Sequence, residues 1–557
     1  MIIFEDINST FIKVTSTDES EYIKLHDYFS IPIPGIEHSQ RFRAGLMDGA
    51  KKFLNANGYL LWGLKQKAID YLNTEDISYQ DNTTPIISDF NSKEFIEFYN
   101  KLDLPFKPYK HQLEGVLVCL REKRVLPLLC TGSGKSLVIY ILCRYAIQRN
   151  LKVLLLVPSI SLVYQMSGDF KDYFYNKEKN ILKQIENSDD DIEILTLNKE
   201  LESIYQNRKD LNCESIDEHI HLIFGGQDKH SDKLVKISTR DSLSIGQNRV
   251  DEDYFKDIDM FIGDEIHRAG SDTTSEIIKA CNKSYNNDSM YKIGLTGSLS
   301  TNVIDNLLIE GMIGKVASII KMRELIDLGL ATNVYIQPLY LNYNISLTKE
   351  VKKMKYAEED KFVRTFEPRS KFIAKLATSF NDKNVMIIYK NNDSAEQILS
   401  EIIKIRNPDK TFKLKDYQKD NDEKVYLSAG STKASNRDDF RGMMEDSNGN
   451  ILIGNTSIIS TGINIKNVHV FIFANIGKSS TTVIQAIGRI VRLHSSKCDG
   501  AVVYDIVDNL VYTVPKSGRQ YENYNFKHWI ERLGIYTMEE FDVMEPKQIQ
   551  LNIEELF

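Results

Sequence analysis

Two sets of short, nearly continuous apolar runs occupy the chain from residue 108 onward, and they constrain the fold more than any other feature. The first set comprises Val153–Val157, Met260–Ile262 and Ile293–Leu295, and the second comprises Val385–Tyr389, Ile451–Ile453, Val468–Phe473 and Ala501–Tyr504. Continuous rather than alternating apolar character is typical of strands buried on both faces of a parallel sheet. Amphipathic stretches between the runs predict the helices of βαβ units. The sequence therefore predicts an α/β chain with two parallel-sheet lobes in tandem.

A chain of 557 residues is too long for one hydrophobic core, and its character changes along the sequence. Residues 1–105 mix a strand-like start, helical stretches and polar loops, which predicts a small α+β N-terminal domain. We place the first lobe at 106–330 and the second at 331–530, followed by a short acidic C-terminal tail at 531–557. The highly charged stretch 176–219 in the first lobe predicts a helical insertion on the surface.

The composition is that of an ordinary soluble globular protein, with 42% hydrophobic and 27% charged residues. No apolar run approaches the roughly 18–20 residues of a membrane span, and the start, MIIFEDINST, lacks a basic and then apolar signal. The six cysteines form no C-x-x-C pair, which disfavours a zinc site and a disulfide framework. We therefore expect a cytoplasmic protein without membrane contacts.

A phosphate-binding loop is indicated by Thr131-Gly132-Ser133-Gly134-Lys135-Ser136, which follows an apolar run and precedes the apolar helix LVIYILCRYAI. Glycines let backbone N–H groups turn towards phosphate oxygens, and the helix N-terminus adds the positive end of its dipole. Lys135 would neutralise the outer phosphates of ATP, and the Ser136 hydroxyl would join the Mg²⁺ shell. A glycine-rich turn is the alternative, since Leu129 replaces the usual first glycine and Pro127 interrupts the predicted strand.

Acidic residues follow the apolar run MFI in the string Gly263-Asp264-Glu265-Ile266-His267. The string lies at the carboxyl end of a predicted strand, where ligands bind in open α/β sheets. Asp264 would hold Mg²⁺ through water, Glu265 would act as general base on the attacking water, and His267 would lie beside the terminal phosphate. A solvated acidic strand end is the alternative, but the order of these residues after Lys135 favours catalysis.

A third motif is Gln485-Ala486-Ile487-Gly488-Arg489-Ile490-Val491-Arg492. On a continuous helix, Gln485, Arg489 and Arg492 would share one face. Two arginines on that face would stabilise the charge that develops on the transferred phosphoryl group. An exposed amphipathic helix with two arginines is the alternative.

Weaker signals follow in the same chain order. Gln112, shortly after Tyr109, is a candidate for reading adenine, and Thr296-Gly297-Ser298 ends the strand KIGL. Loops that would contact a nucleic-acid strand through hydroxyl and backbone N–H groups contain Pro158, Gly225, Gly226, Thr239 and Thr461. Each alone is more typical of an ordinary turn, so their shared order is what supports function.

The strings T-G-S-G-K-S, D-E-I-H, L-T-G-S, S-T-G-I-N and Q-A-I-G-R-I-V-R resemble the motifs of superfamily-2 DExH helicases, in that family's order, over about 108–530. The resemblance implies two RecA-like lobes that use ATP and Mg²⁺, with hydrolysis stimulated by nucleic acid. It also implies that closure of the two lobes assembles the hydrolysis site.

Longer strings resemble the UvsW-type recombination and branch-migration helicases of T4-like phages; among them are RFRAGLMDGAKKF, RSKFIAKLA and TVIQAIGRIVRLHSSK. That resemblance implies an ATP-dependent DNA helicase or translocase acting on junctions, forks and R-loops in recombination, replication and repair. The implied partners are single-stranded and branched DNA, RNA–DNA hybrids, and recombination or replication proteins in the host cytoplasm. Met47 and Ala50 depart from a tryptophan and an arginine of that family, and Cys130 departs from a proline.

The basic segment RFRAGLMDGAKKF contains the candidate phosphate contacts Arg41, Arg43, Lys51 and Lys52 in a domain that is DNA-binding in the resembled family. A solvated basic face is the alternative. The net charge of −8 counts against a protein that coats nucleic acid through bulk positive charge, but it allows a local positive groove.

Three other functions remain open on the sequence. The motor could serve a restriction or defence system, although no nuclease-like D…E-x-K cluster is evident outside the lobes. An RNA helicase would carry the same motifs, because contacts to the nucleic-acid backbone do not separate DNA from RNA. A scaffold with a decayed motor is disfavoured by the intact Lys135, Glu265 and Arg489.

Overall fold

The computed structural model describes residues 1–86, 88–244, 250–268, 272–281, 290–300, 302–408, 424–428, 440, 442–456 and 465–551. The loop with Thr461 lies outside these residues. The chain divides into two compact units, of which the first comprises 1–129 and 133–320 and the second comprises 130–132 and 321–557.

The N-terminal segment of the first unit forms a small mixed sheet with short helices. Its elements are β1 Ile2–Asp6, β2 Phe11–Ser16, α1 Glu19–Tyr28, β3 Ser30–Pro32, α2 Gln40–Arg43, β4 Ala50–Lys52, β5 Tyr59–Leu61, α3 Lys65–Thr74, β6 Tyr79–Asp81 and α4 Ser92–Asn100. The sheet order is β5-β2-β1-β6, and β3 pairs with β4 in a separate antiparallel ribbon. Alternate residues of β1 and β2, such as Phe4 and Ile12, are buried, which gives the sheet one apolar face. This is the small N-terminal α/β part that the sequence predicts.

The first lobe is an all-parallel sheet flanked by helices. Its elements are α5 Lys110–Glu122, β7 Arg124–Leu129, α6 Lys135–Gln148, β8 Val153–Val157, α7 Ile160–Asn187, α8 Asp191–Asp210, β9 Ile220–Ile223, β10 Val235–Thr239, β11 Met260–Asp264, α9 Asp272–Cys281, β12 Tyr291–Leu295, α10 Val303–Ile313 and β13 Lys315–Ile320. The strand order is β13-β7-β12-β11-β8-β10-β9, with every pair parallel. The predicted buried strands therefore form the centre of the sheet.

Pro127 remains inside β7, where the sequence suggests a conflict with strand pairing. The ladder between β7 and β12 pairs Arg124 and Val125 and then resumes at the single bridge between Leu128 and Thr296. Pro127 lies in the interruption, so its missing N–H group removes no ladder hydrogen bond on that side.

The second lobe is also an all-parallel sheet. Its elements are α11 Met322–Asp327, β14 Val334–Asn342, α12 Ile345–Val351, α13 Tyr356–Thr365, α14 Glu367–Thr378, β15 Val385–Tyr389, α15 Asn392–Arg406, β16 Val425–Ser428, β17 Ile451–Asn455, β18 Val470–Phe473, α16 Ser480–Ile490, β19 Ala501–Asn509, β20 Tyr512–Thr513, β21 Gln520–Tyr521, α17 Tyr524–Met538, β22 Asp542–Val543 and β23 Lys547–Gln550. The order is β16-β17-β15-β18-β19-β14-β22, and β23 also pairs with β14. The predicted fold class, two parallel-sheet lobes in tandem, is confirmed.

The prediction of a C-terminal tail from residue 531 is wrong. Helix α17 continues to Met538, and β22 and β23 both pair in parallel with β14. The buried side chains Trp529 and Tyr536 attach α17 to the lobe. The acidic residues of this segment, such as Glu531, Glu540 and Asp542, lie at exposed positions of these short elements, which is why its sequence resembles an acidic tail.

The charged stretch 176–219 contains the second half of α7 and all of α8, which pack on each other through Arg208, Phe174 and Glu178. The Arg208 guanidinium lies 4.1 Å from the centre of the Phe174 ring and donates to Glu178 at 2.6 Å. Most other side chains of α8 are exposed, as expected for a surface hairpin. Within the part of the chain that the structure describes, no helix is both long and apolar enough to cross a membrane.

The N-terminal segment and the first lobe share a buried contact around Trp62. The Arg124 guanidinium lies 4.2 Å from the centre of the Trp62 ring and donates to the carbonyl oxygens of Ile313 and Met312. Arg124 begins β7, the strand that leads into the phosphate loop. The cation is therefore held between an aromatic face and two acceptors, which offsets the cost of its burial.

Close backbone packing next to Trp62 leads to a stability prediction. A Cβ atom on Gly63 would lie 2.0 Å from the carbonyl oxygen of Glu310, and a backbone atom cannot rotate away. We expect Gly63→Ala to lower the free energy of unfolding of this unit by about 2–3 kcal/mol, the upper range for overpacking. Chemical denaturation measures the effect. Gly168→Ala is the control, because nothing lies within 4 Å of its Cβ position; equal stability of the two variants would contradict the prediction.

Candidate functional site

The phosphate loop lies between β7 and α6, and its shape depends on two glycines. Gly132 and Gly134 have φ angles of 89° and 85°, a region that residues with a Cβ atom rarely adopt. A Cβ atom on Gly134 would also lie 2.2 Å from the Nε2 atom of Gln112. Helix α6 begins at Lys135, directly after Gly134, so the loop leads into the positive end of a helix dipole, which favours a bound anion.

Two side chains of α5 support the phosphate loop by binding one of its carbonyl oxygens. His111 Nε2 and Gln112 Nε2 both lie 2.9 Å from the carbonyl oxygen of Ser133, and both side chains are buried. Because a carbonyl oxygen only accepts, His111 carries its proton on Nε2 here. Sequence reasoning missed His111, whose only signal was its position beside Gln112.

Gln112 is therefore a structural support of the loop as well as a candidate for reading adenine. Its Oε1 atom accepts from the backbone N–H of Tyr109 at 2.9 Å, which fixes the start of α5. The amide keeps one further N–H and one further lone pair for a base. Adenine recognition by Gln112 stays a prediction.

The acidic residues follow β11 in a strained turn. Glu265 has a φ angle of 49°, in the left-handed region that non-glycine residues seldom occupy. Gly263 makes room for this turn, because a Cβ atom there would lie 2.4 Å from Ile266 Cδ1. The turn directs Glu265 towards the phosphate loop, whereas an extended strand would carry it onward.

Glu265 lies between two basic groups. Its Oε1 atom is 3.0 Å from Lys135 Nζ, and its Oε2 atom is 3.2 Å from His267 Nδ1. Burial alone would raise the pKa of Glu265, but Lys135 and His267 outweigh it and hold the pKa below its usual range. At Asp264, burial and the neighbouring charge of Glu265 outweigh the attraction of Lys135 and raise the pKa. The structure thus brings together Lys135, Asp264, Glu265 and His267 as predicted from the sequence.

His267 is linked to the residue that ends β12. Its Nδ1 atom lies 2.8 Å from Thr296 Oγ1, and that hydroxyl donates to the carbonyl oxygen of Ser298, also at 2.8 Å. Because the Thr296 proton is used there, the hydroxyl accepts from His267, which places a proton on Nδ1. His267 Nε2 is buried without a hydrogen-bond partner among the described residues, which leaves one ring nitrogen for a ligand.

The donor atoms near the loop suit Mg²⁺ better than a metal that needs many protein ligands. Among the described residues, no three His, Cys, Asp or Glu side chains are grouped to hold a metal. Mg²⁺ ordinarily takes one or two protein oxygens and fills its shell with water and substrate phosphates. The Ser136 hydroxyl, in the first turn of α6, and the Asp264 carboxylate, at the end of β11, fit that pattern.

The third motif forms a helix, but it is shorter than the sequence predicts. Helix α16 ends at Ile490, with Gln485 and Arg489 on it, both half-buried. Arg492 lies two residues beyond the end, so the prediction that Arg492 shares a helical face with them is wrong. Lys497 donates to the carbonyl oxygen of Ile490 at 2.8 Å, and the Thr332 hydroxyl donates to that of Arg492 at 3.1 Å. Lys497 thus takes the last carbonyl group of the helix, and Thr332 holds the chain just beyond its end.

The candidate nucleic-acid loops of the first lobe lie at one edge of its sheet. Pro158 follows β8, Thr239 ends β10, and Gly225 and Gly226 follow β9 with φ angles of 43° and 88°. Because β9, β10, β8 and β11 are adjacent parallel strands, these loops share the edge at which Asp264 lies. Pro158, Arg240, Asp264 and Glu265 also line one small cavity. Thr461 lies outside the described residues, so its contact stays a prediction.

The basic candidates of the N-terminal segment are all exposed. Arg41 and Arg43 lie on α2, and Lys51 and Lys52 lie on β4. Arg43 Nε donates to a carbonyl oxygen at 2.8 Å, and Lys52 pairs with a neighbouring carboxylate at 2.7 Å. A phosphate backbone can compete for such solvent-exposed cations, because exposed ion pairs are weak.

Comparison with known proteins gives two family matches and one full-length relative. The family described as type III restriction enzyme, res subunit, matches residues 104–300, and the helicase conserved C-terminal domain matches residues 369–494. The ATP-dependent DNA helicase UvsW of Enterobacteria phage T4 is 27% identical over 545 residues, which cover 94% of this chain and 95% of that protein.

Two solved structures are similar to the chain. A crystal structure of the DUF1998 helicase MrfA bound to DNA matches with a TM-score of 0.50 and 12% identity, covering 85% of this chain and 56% of that one. The crystal structure of T4 UvsW matches with a TM-score of 0.44 and 25% identity, covering 99% of this chain and 100% of that one. The first match supports the two-lobed RecA-like fold.

Proposed function

We propose that the chain, an ATP-hydrolysing helicase similar to phage T4 UvsW over 94% of its length, belongs to superfamily 2 and unwinds or branch-migrates junctions, forks and R-loops. The observation that carries the proposal is that the likeness to UvsW spans the N-terminal segment as well as both lobes. A helicase that lacks an accessory DNA-binding segment would match UvsW over the two lobes alone. This chain adds an exposed basic surface on α2 and β4.

The phosphate loop supports ATP binding. Thr131, Gly132, Ser133 and Gly134 would surround phosphate oxygens with backbone N–H groups. Lys135 would then exchange its ion pair with Glu265 for the outer phosphates. A bound Mg²⁺ would neutralise phosphate charge, with the Ser136 hydroxyl in its shell and Asp264 holding it through water.

Glu265 is the proposed general base. Once Lys135 turns to the phosphates, the carboxylate loses its main positive neighbour and becomes a better proton acceptor for water. His267 keeps the carboxylate oriented through its 3.2 Å contact and is itself held by Thr296. From the second lobe, Gln485, Arg489 and Arg492 are proposed to contribute polar and cationic groups to the reaction. If hydrolysis needs these groups from the second lobe, it is coupled to movement of the lobes.

An assay of DNA unwinding and branch migration tests the proposed substrate class. A synthetic four-way junction, a fork and an R-loop are each incubated with protein and ATP, and the products are resolved by gel electrophoresis. Conversion of all three with ATP, but not with Glu265→Gln, is the expected result. Conversion of simple 3′- or 5′-tailed duplexes alone would contradict a branched-DNA role. Activity that appears only with a co-purified nuclease would favour the restriction-type motor that the res-subunit match suggests.

The basic surface gives a second, quantitative prediction. Each phosphate contact contributes roughly 0.9 to the slope of log affinity against log salt on duplex DNA. We therefore expect Arg41→Ala with Lys51→Ala to lower that slope by about two contacts' worth, measured by fluorescence anisotropy over a salt series. Lys24→Ala, an exposed lysine of α1 in the same segment, is the matched control. An unchanged slope in the double variant would remove this surface from the DNA path.

A further inference from the structure

The Ser136 hydroxyl contacts Tyr173, a residue outside the phosphate-loop motif 131–136. Ser136 Oγ lies 2.8 Å from the phenolic oxygen of Tyr173, and either atom can be the donor. Ser136 is in the first turn of α6, whereas Tyr173 is in the middle of α7. The contact is tertiary, between two helices of the first lobe.

Packing around Tyr173 fixes the position of its hydroxyl. Tyr140, one turn after Ser136 on α6, has its ring centre 5.3 Å from that of Tyr173 and 5.3 Å from that of Phe170. Arg144, another turn along, donates to the Tyr140 hydroxyl at 2.9 Å and lies 4.9 Å from the centre of the Phe174 ring. The two helix faces interlock over three turns, so the tyrosine has little freedom to swing away.

A serine hydroxyl that binds a cation needs an acceptor for its own proton. When the oxygen lone pair points at the cation, the O–H group becomes a stronger donor and must point elsewhere. Tyr173 offers a neutral acceptor at the required distance, because a phenol is protonated near pH 7 and its oxygen lies 2.8 Å from Ser136 Oγ.

We propose that Tyr173 is a positioning residue of the ATP site, which holds the Ser136 hydroxyl with its lone pair directed at Mg²⁺. The inference rests on the proposed Mg²⁺–ATP site. Tyr173 does not touch the nucleotide in this account; it acts through Ser136. Its loss therefore affects the metal requirement more than nucleotide binding itself.

Tyr173→Phe tests the proposal, since it keeps the ring and removes only the hydroxyl. We expect the Mg²⁺ concentration for half-maximal ATPase to rise about three- to tenfold, the effect of losing one hydrogen bond of ordinary strength. Binding of a fluorescent ATP analogue in EDTA should be unchanged, while the tightening that Mg²⁺ gives should shrink. Adding Tyr173→Phe to Ser136→Ala should have no further effect, because one residue acts through the other.

Tyr175→Phe is the matched control. Tyr175 lies on the same helix, and its hydroxyl contacts Ser215 at 2.9 Å and Asp217 at 3.1 Å but not Ser136. The Tyr175→Phe variant therefore also loses hydroxyl contacts, but none to the nucleotide site. A Mg²⁺ titration of Tyr173→Phe that superimposes on that of Tyr175→Phe would overturn the inference. A wild-type ATPase that does not respond to Mg²⁺ would instead overturn the metal site on which it rests.

Discussion

Glu265→Gln is expected to lower the turnover of ATP by a factor of roughly 10²–10⁴, the usual contribution of a positioned general base. The amide keeps the size of the side chain but cannot accept a proton from water. The substitution also removes the ion pair in which Glu265 lies 3.0 Å from Lys135. The carboxylate then no longer competes with the ATP phosphates for the Lys135 ammonium group. Nucleotide binding should therefore be as tight as in the wild type or tighter. Steady-state ATPase and binding of a fluorescent ATP analogue measure the two effects.

Glu122→Gln is the control for charge loss alone, because Glu122 pairs with Lys315 at the surface of the same lobe. It should leave turnover within a factor of two, the effect of a weak exposed pair. Turnover in Glu265→Gln that stays within a factor of about ten of the wild type would contradict the general-base assignment.

Asp505→Asn is expected to destabilise the second lobe by about 3–5 kcal/mol, because it leaves a buried guanidinium without its counter-charge. Asp505 is fully buried and accepts from Arg532 Nε at 2.8 Å, from Arg532 Nη2 at 2.7 Å and from the Tyr536 hydroxyl at 2.7 Å. This network attaches α17 to β19. The chain has two tryptophans, so denaturation of a Trp62→Phe background reports the lobe through Trp529.

Glu531→Gln, one residue before Arg532, is the matched control. Glu531 pairs with Lys478 at 2.9 Å, and the exposed fractions of the two side chains are 49% and 55%. Such a pair contributes about 0–1 kcal/mol. If Asp505→Asn costs no more than this control, the buried network does not hold α17 in place.

The central strands could be predicted because burial on both faces leaves a direct signal in the sequence. Val153–Val157 and Val385–Tyr389 have the bounds that the apolar runs give. β19 is longer than its run, since it continues to Asn509 through the buried Asp505 and Asp508. Their arginine partners are 27 and 139 residues away in the chain. A single sequence shows acidic residues and not the cations that permit their burial.

The same limit applies to the site. The phosphate loop and the acidic turn are local strings, and the structure brings Lys135 and Glu265 together as the strings predict. His111 and Tyr173 were missed because their roles depend on which atoms of other elements lie beside them. Arg492 was misplaced for the same reason, since Lys497 and Thr332 hold the chain at and just beyond the end of the helix.

The most direct test of the account is the rate of ATP hydrolysis with no nucleic acid, with single-stranded DNA, with a four-way junction, with an RNA–DNA hybrid and with RNA. We expect strong stimulation by the junction and the hybrid, and its loss in Glu265→Gln. Stimulation by RNA alone would indicate an RNA helicase. A rate that none of these nucleic acids changes would contradict a nucleic-acid motor.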